Sequence, residues 1–284
     1  MRLGVHVSIA GKIYDALQRA NELGCETMQI FSRNPRGWQP ATFTNEDADK
    51  FRTKKRLLEI YPVLVHIPYL INLASPDTEL YERSIETYIK DIRGTDALGC
   101  EYFVTHLGNH TGSGEERGIK IFQDALNRII DEAKPECMIL LETTAGQGTS
   151  IGHKFRQIQD IIQGVKQKNK VGICLDSAHV FAAGYEITTK EGLVKTLAEF
   201  NNIIGIEKLK TIHLNDSKTA FGSHVDRHEH ITKGEFGEHG FDAILSHPKT
   251  RGLPFILETP KKRPTDDAMN LKKVREIYRR VNRK

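Results

Sequence analysis

The sequence predicts an α/β protein, a (β/α)8 barrel in a single domain over residues 1–284, on three observations. Short apolar, β-branched runs recur eight times, segments of helical period lie between most of them, and nearly every run closes on a polar residue. Near-continuous apolar strands separated by helices argue for a parallel sheet covered on both faces. The length of 284 residues suits one barrel of about 250 residues. An open doubly wound sheet is the alternative, but no GxGxxG follows a strand and no shift in composition marks a second domain.

The strands, in order, are RLGVHV (2–7), TMQIFS (27–32), VLVHIP (63–68), YFVTHLG (102–108), MILLET (138–143), VGICLD (171–176), KTIHLND (210–216) and FILET (255–259). Helical spacing is plainest in YDALQRANELG (14–24), LYERSIETYIKDIRGTDALG (80–99) and IKIFQDALNRIIDEA (119–133). Two helix-to-strand joins repeat, LGCET (23–27) and LGCEY (98–102), so Gly24 and Gly99 are expected to end helices in the left-handed conformation. The stretch 217–240 is polar, Gly-rich and His-rich, and a loop of that length is expected to be functional or disordered.

Composition narrows the function. With 41 Lys plus Arg against 37 Asp plus Glu, the formal charge is +4, so any affinity for anions must be local. No apolar run approaches the roughly 18 residues that span a bilayer, and the N-terminus lacks the apolar core of a secretory signal. An intracellular, cytoplasmic protein with no membrane partner is expected. Cys25, Cys100, Cys137 and Cys174 form no CxxC pair and read as buried, reduced thiols.

The chemistry lies at the strand ends. His66, His106, Glu142, Asp176, His213 and Glu258 recur at intervals of 40, 36, 34, 37 and 45 residues, one βα unit each. In a parallel barrel all six reach the C-terminal mouth, where barrel enzymes place their active sites. A lone strand histidine usually packs in a core, and a lone carboxylate often caps the next helix. Six together in one mouth instead make the ligand set of zinc and its neighbours, too large for one tetrahedral ion. Close pairs add to it: Asp176 with His179 in CLDSAH (174–179), and Asp226 with His228 in HVDRHEH (224–230). The other histidines, His6 among them, are assigned to packing or surface.

HIPYLINLASP (66–76), THLGNHTGSG (105–114), LLETTAGQGTSIG (140–152), CLDSAH, HLNDSK (213–218), GSHVDRHEHI (222–231) and ILET (256–259) closely resemble, in order, the motifs of the endonuclease IV family of apurinic/apyrimidinic (AP) endonucleases. GVHVSIAGK (4–12) and IFSRNPRGW (30–38) extend the resemblance over nearly the whole chain. It implies a TIM barrel that holds three zinc ions, with manganese or iron as substitutes. His66, His106 and bridging Glu142 would hold one ion, Glu142, Asp176, His213 and Glu258 a second, and His179, Asp226 and His228 a third. The implied reaction is hydrolysis of the phosphodiester 5′ to an abasic site, leaving a 3′ hydroxyl and a 5′ deoxyribose phosphate, with trimming of blocked 3′ ends as a second activity. The implied partner is double-stranded DNA carrying such lesions, and a monomer is expected.

The charges allow three ions. Four carboxylates contribute −4 and five neutral imidazoles nothing, so three Zn²⁺ leave +2, which a phosphodiester and a hydroxide neutralise. Glu142 is the candidate catalytic residue, orienting or deprotonating water. Arg36, in the loop after the second strand, matches the family's phosphate-contacting position, and Tyr69 with Leu70 match residues that fill a gap in a base stack. Two other readings remain: a sugar isomerase or epimerase of the xylose-isomerase-like barrels, against which the Asp226 and His228 pair speaks, and a metal-stabilised DNA-damage binding protein without turnover.

Overall fold

The computed structural model describes residues 1–35, 37–39 and 42–283. Eight parallel strands follow one another around the sheet: β1 (Arg2–Val5), β2 (Met28–Phe31), β3 (Val63–His66), β4 (Tyr102–Thr105), β5 (Met138–Glu142), β6 (Val171–Asp176), β7 (Leu209–His213) and β10 (Pro254–Leu257), the last pairing with β1. The seam between β1 and β2 closes through a parallel bridge of His6 with Gln29 and a Val7 N–H to Gln29 carbonyl bond of 2.7 Å. Gly4 permits this approach, since a Cβ there would fall 1.8 Å from the Thr27 carbonyl oxygen. All eight predicted strands are present: β6 has the predicted bounds, β7 and β10 begin one residue earlier, and all but β6 end short of the predicted C-terminal limit.

Helices α1 (Asp15–Glu22), α2 (Asn45–Leu57), α3 (Thr78–Ala97), α4 (Glu115–Ala133), α5 (Phe155–Gly164), α6 (Ser177–Ala182), α7 (Lys190–Ile203), α8 (Gly237–Ser246) and α9 (Asp266–Val281) surround the strands. Their starts follow local chemistry. Thr44 and Asp47 form a reciprocal capping box on α2, Asp77 caps α3 through the Leu80 N–H, and Thr189 caps α7 through that of Gly192. Gly24 and Gly99 take φ of 68° and 62°, as the repeated joins require. Among the described residues no helix is long and apolar enough to cross a membrane.

Two apolar layers result from the period-two alternation of side chains along each strand. Leu64, Val104, Leu140, Cys174 and Ile256 fill the barrel interior, joined by Tyr102 and Met138. Their neighbours in sequence, such as Val63, Val65, Phe103, Ile139, Leu141, Ile173, Phe255 and Leu257, pack outward in the larger core that includes the apolar faces of the helices.

The stretch after β7 is ordered. A short antiparallel hairpin, β8 (Asp216–Ser217) with β9 (His228–Glu229), ties its start to its middle. Buried Asp216 accepts the N–H groups of Gly234 (3.1 Å) and Phe236 (3.0 Å), and the Asp226 N–H reaches Gln147 Oε1 at 3.0 Å. The loop therefore belongs to the mouth of the barrel.

One buried ion pair fixes the loop after β2. The Arg33 Nε donates to both Asp91 carboxylate oxygens (2.9 and 3.1 Å), and other guanidinium hydrogens reach the carbonyls of Trp38 and Thr87. Arg33 is 1% exposed and Asp91 4%, so neither charge has water to fall back on. Asp91→Leu should cost roughly 3 to 5 kcal/mol of unfolding free energy, and adding Arg33→Met should recover most of it. Denaturant midpoints of the two variants test this; additive losses would show that the pair is not coupled.

Candidate metal centre

The interior alternation that places Leu64, Val104, Leu140, Cys174 and Ile256 in the apolar layer puts the residue two positions later one step nearer the mouth. Those residues are His66, His106, Glu142, Asp176 and Glu258. His213 ends β7 in register with Asp176, and His179 lies one turn into α6, whose N-terminus Asp176 caps through the His179 N–H at 2.8 Å. β9 and the residues before it deliver His228 and Asp226 from the far side.

All nine sequence-predicted ligands are brought together. His66 Nε2 and His106 Nε2 each lie 3.0 Å from Glu142 Oε2, while His213 Nδ1 lies 2.8 Å from Glu142 Oε1 and 3.1 Å from Glu258 Oε2. His179 Nε2 and His228 Nε2 face Asp226 Oδ1 at 3.1 and 3.6 Å, and His228 Nε2 is 3.7 Å from Asp176 Oδ2. Three sets have ligand atoms close enough for one ion each: His66, His106 and Glu142; Glu142, Asp176, His213 and Glu258; and Asp176, His179 and His228. Asp176 thus stands between two sets. A fourth grouping sets Cys174 beside Glu142 and His213; Cys174 is fully buried in the apolar layer one step below the mouth.

Charge in the cluster is balanced by proximity. Burial disfavours ionised Glu142, yet the imidazoles of His213 and His106 outweigh it and hold its pKa well below the ordinary carboxylate value. Glu258 is shifted the same way by His213, and Asp226 by His179, in each case against burial. Correspondingly, His179 and His213 are raised well above the ordinary imidazole value in spite of burial, the first chiefly by Asp176 and Asp226. Cations of either kind, protons on the rings or divalent ions between them, would neutralise such a cluster.

The donor set fits metal ions on one further observation. His179 Nε2 and His228 Nε2 are buried and, although both face Asp226, make no hydrogen bond among the described residues, while their other nitrogens are satisfied by the carbonyls of Thr143 (2.8 Å) and Glu258 (3.1 Å). His66 is held likewise, Nδ1 on the Ile67 carbonyl at 2.7 Å. Pinning one imidazole nitrogen and aiming the other is how protein ligands are oriented toward metals.

The cluster opens into a cleft of about 430 Å³ lined by His66, Tyr69, His106, His179, Asp226 and His228, with Arg227 at its edge. Tyr69 is 68% exposed at the lip, its ring 5.7 Å from that of Phe31 and 6.2 Å from that of His106. Leu70 follows it, half-buried. Arg36 lies outside the described residues. Sequence reasoning assigned His6 to packing and passed over Gln29 and Asn215. Gln29 joins His6, His213 and Glu258, and Asn215 donates to Asp176 Oδ2 at 2.7 Å. The signal for His6 was its place two residues beyond Gly4 on an inward-facing strand; Gln29 and Asn215 had only their polarity in apolar surroundings.

Comparison with known proteins agrees with this geometry. The family model of the AP endonuclease 2 group, a xylose isomerase-like TIM barrel, matches residues 17–280. The probable endonuclease 4 of Halothermothrix orenii is 45% identical over 261 residues, 92% of this chain and 94% of that protein. That of Methanoculleus marisnigri is 46% identical over 276 residues, 97% of this chain and 98% of the relative. The crystal structure of endonuclease IV from Thermus thermophilus superposes with a TM-score of 0.87 at 31% identity, covering 99% of this chain and 100% of the other. A D-tagatose 3-epimerase-like protein, at 20% identity and a TM-score of 0.74, shares the fold. The chain belongs to the endonuclease IV family, AP endonuclease family 2, of xylose-isomerase-like TIM barrels.

Proposed function

We infer that the protein is a metal-dependent AP endonuclease of DNA base excision repair, which hydrolyses the phosphodiester 5′ to an abasic site in double-stranded DNA and trims blocked 3′ ends. The supporting observation is the convergence of nine imidazoles and carboxylates, from six strand ends, the helix after β6 and one hairpin, on a cleft into which two buried imidazole nitrogens point, both facing Asp226 and neither in a hydrogen bond among the described residues. The relatives' names, endonuclease 4 and endonuclease IV, supply the reaction class.

Three zinc ions suit the ligand set, and Mn²⁺ or Fe²⁺ would accept the same donors. His66, His106 and Glu142 are assigned to one, Glu142, Asp176, His213 and Glu258 to the second, and His179, Asp226 and His228 to the third. When bound, such ions supply Lewis acidity, drawing charge from phosphodiester oxygens and making water a nucleophile at neutral pH. The chain's own contribution is position. Glu142 divides its two oxygens between His66 and His106 on one side and His213 on the other, so it is the carboxylate placed to orient or deprotonate the attacking water.

Recognition falls to the loops at the mouth. Tyr69 and Leu70 fill the space an absent base leaves in the stack, and Arg36 contacts phosphate by its match to the family motif. An abasic nucleotide forgoes much of the few kcal/mol that extruding a paired base costs, which favours the lesion.

A duplex carrying one tetrahydrofuran abasic analogue, which blocks β-elimination, should be cut 5′ to the lesion to leave a 3′ hydroxyl, and a strong zinc chelator should stop the reaction. No cut by metal-loaded protein would exclude the reading. Glu142→Gln should lower incision at least about 100-fold while binding of the duplex, read by gel shift, changes little; retained turnover would exclude the role given to Glu142. Tyr69→Ala should weaken preference for the abasic duplex over an intact one by roughly 1 kcal/mol or more, the low end of aromatic stacking on a base. Equal loss on both duplexes would assign Tyr69 to packing instead.

A further inference from the structure

We propose that Gln29 is a positioning residue for the metal centre: its side-chain amide selects which nitrogen of His213 faces the ligands and holds Glu258 beside it. This role rests on the metal-centre reading above. Gln29 is fully buried in β2, at the seam where the barrel closes, and a buried amide needs partners for its oxygen and both its hydrogens.

The partners determine the polarity of the whole chain of bonds. Gln29 Nε2 lies 2.6 Å from Glu258 Oε1 and 3.0 Å from His6 Nδ1, and Gln29 Oε1 lies 2.8 Å from His213 Nε2. A carboxylate has no hydrogen to give, so the amide nitrogen must face Glu258 and the amide oxygen His213. An amide oxygen only accepts, so His213 Nε2 carries a hydrogen. That leaves His213 Nδ1, turned toward Glu142 Oε1 and Glu258 Oε2, as the nitrogen available to an ion. The second amide hydrogen goes to His6 Nδ1, which anchors the amide from the residue that follows β1.

His213 differs in this from its neighbours. His66, His179 and His228 each rest Nδ1 on a backbone carbonyl and present Nε2. His213 presents Nδ1, and the group that holds its other nitrogen is a side chain, so its orientation depends on a single replaceable residue. Loss of such outer partners typically weakens metal affinity or activity roughly 10- to 100-fold.

Gln29→Met keeps the length of the side chain and removes the amide. Zinc titrated into the protein against a chromophoric chelator should bind roughly 10- to 100-fold more weakly at one site in this variant. The visible bands of the cobalt-loaded protein should shift, with the circular dichroism of the fold unchanged. Should the variant not fold, long-range ¹H–¹⁵N correlation of the zinc-loaded wild-type protein decides: His213 must carry its hydrogen on Nε2. A hydrogen on Nδ1, or wild-type zinc affinity and cobalt spectrum in Gln29→Met, would overturn the role of Gln29 alone. A wild-type protein that binds no zinc would overturn both this role and the metal centre.

Discussion

The constraint on which this molecule depends is the two-residue period of side chains on a closed ring of parallel strands. Closure leaves each strand one inward face, so a residue's parity decides whether it meets the barrel interior or the helices. Leu64, Val104, Leu140, Cys174 and Ile256 take the inward positions at one level, and His66, His106, Glu142, Asp176 and Glu258 take them at the next. The apolar layer is therefore the floor of the site. It keeps water from beneath the carboxylates, so the imidazoles must supply the pairing that solvent would otherwise provide.

That pairing would be a poor way to gain stability. Moving several charges out of water costs several kcal/mol for each, and their mutual attraction seldom returns more than this. The cluster also lies at the end of the strands where connections leave the barrel, the least suited to serve the fold. The Arg33 and Asp91 pair shows the contrasting case. It too is buried, but the Trp38 and Thr87 carbonyls take up further guanidinium hydrogens, and what it secures is the course of the loop after β2. In the metal centre, nitrogens of His179 and His228 face carboxylates without forming hydrogen bonds among the described residues, an arrangement suited to an ion between the groups.

The eight strands and the cluster of polar residues at their ends were legible because each depends on a local pattern repeated once per βα unit. An apolar run closing on His, Asp or Glu every 34 to 45 residues needs only the fold class to become a constellation. The left-handed Gly24 and Gly99 were readable for a similar reason, since the LGCE joins recur. What could not be read had no period. The hairpin of β8 and β9 has two residues in each strand and is held by Asp216 against Gly234 and Phe236, contacts that leave no alternation in sequence. Gln29 sits in MQIF, where one polar residue among apolar ones has no direction until the ring closes and sets it beside His213, 184 positions away.

The hairpin adds to the strand ends donors that the barrel strands do not supply. The D-tagatose 3-epimerase-like protein and its kin match this fold at 20% identity or less, so likeness of the strands says nothing of the reaction. Six strand ends alone provide Glu142, Asp176 and Glu258, three negative charges for two divalent ions. Adding Asp226 and His228 from the loop brings a fourth carboxylate and turns His179 from an isolated imidazole into part of a third set of donors. Three divalent ions there would leave the centre at +2, the charge that a phosphodiester and a hydroxide together would balance. A neutral sugar would bring no such charge to balance. The segment that reads as the least regular in the chain is thus the one that suits the barrel to an anionic substrate.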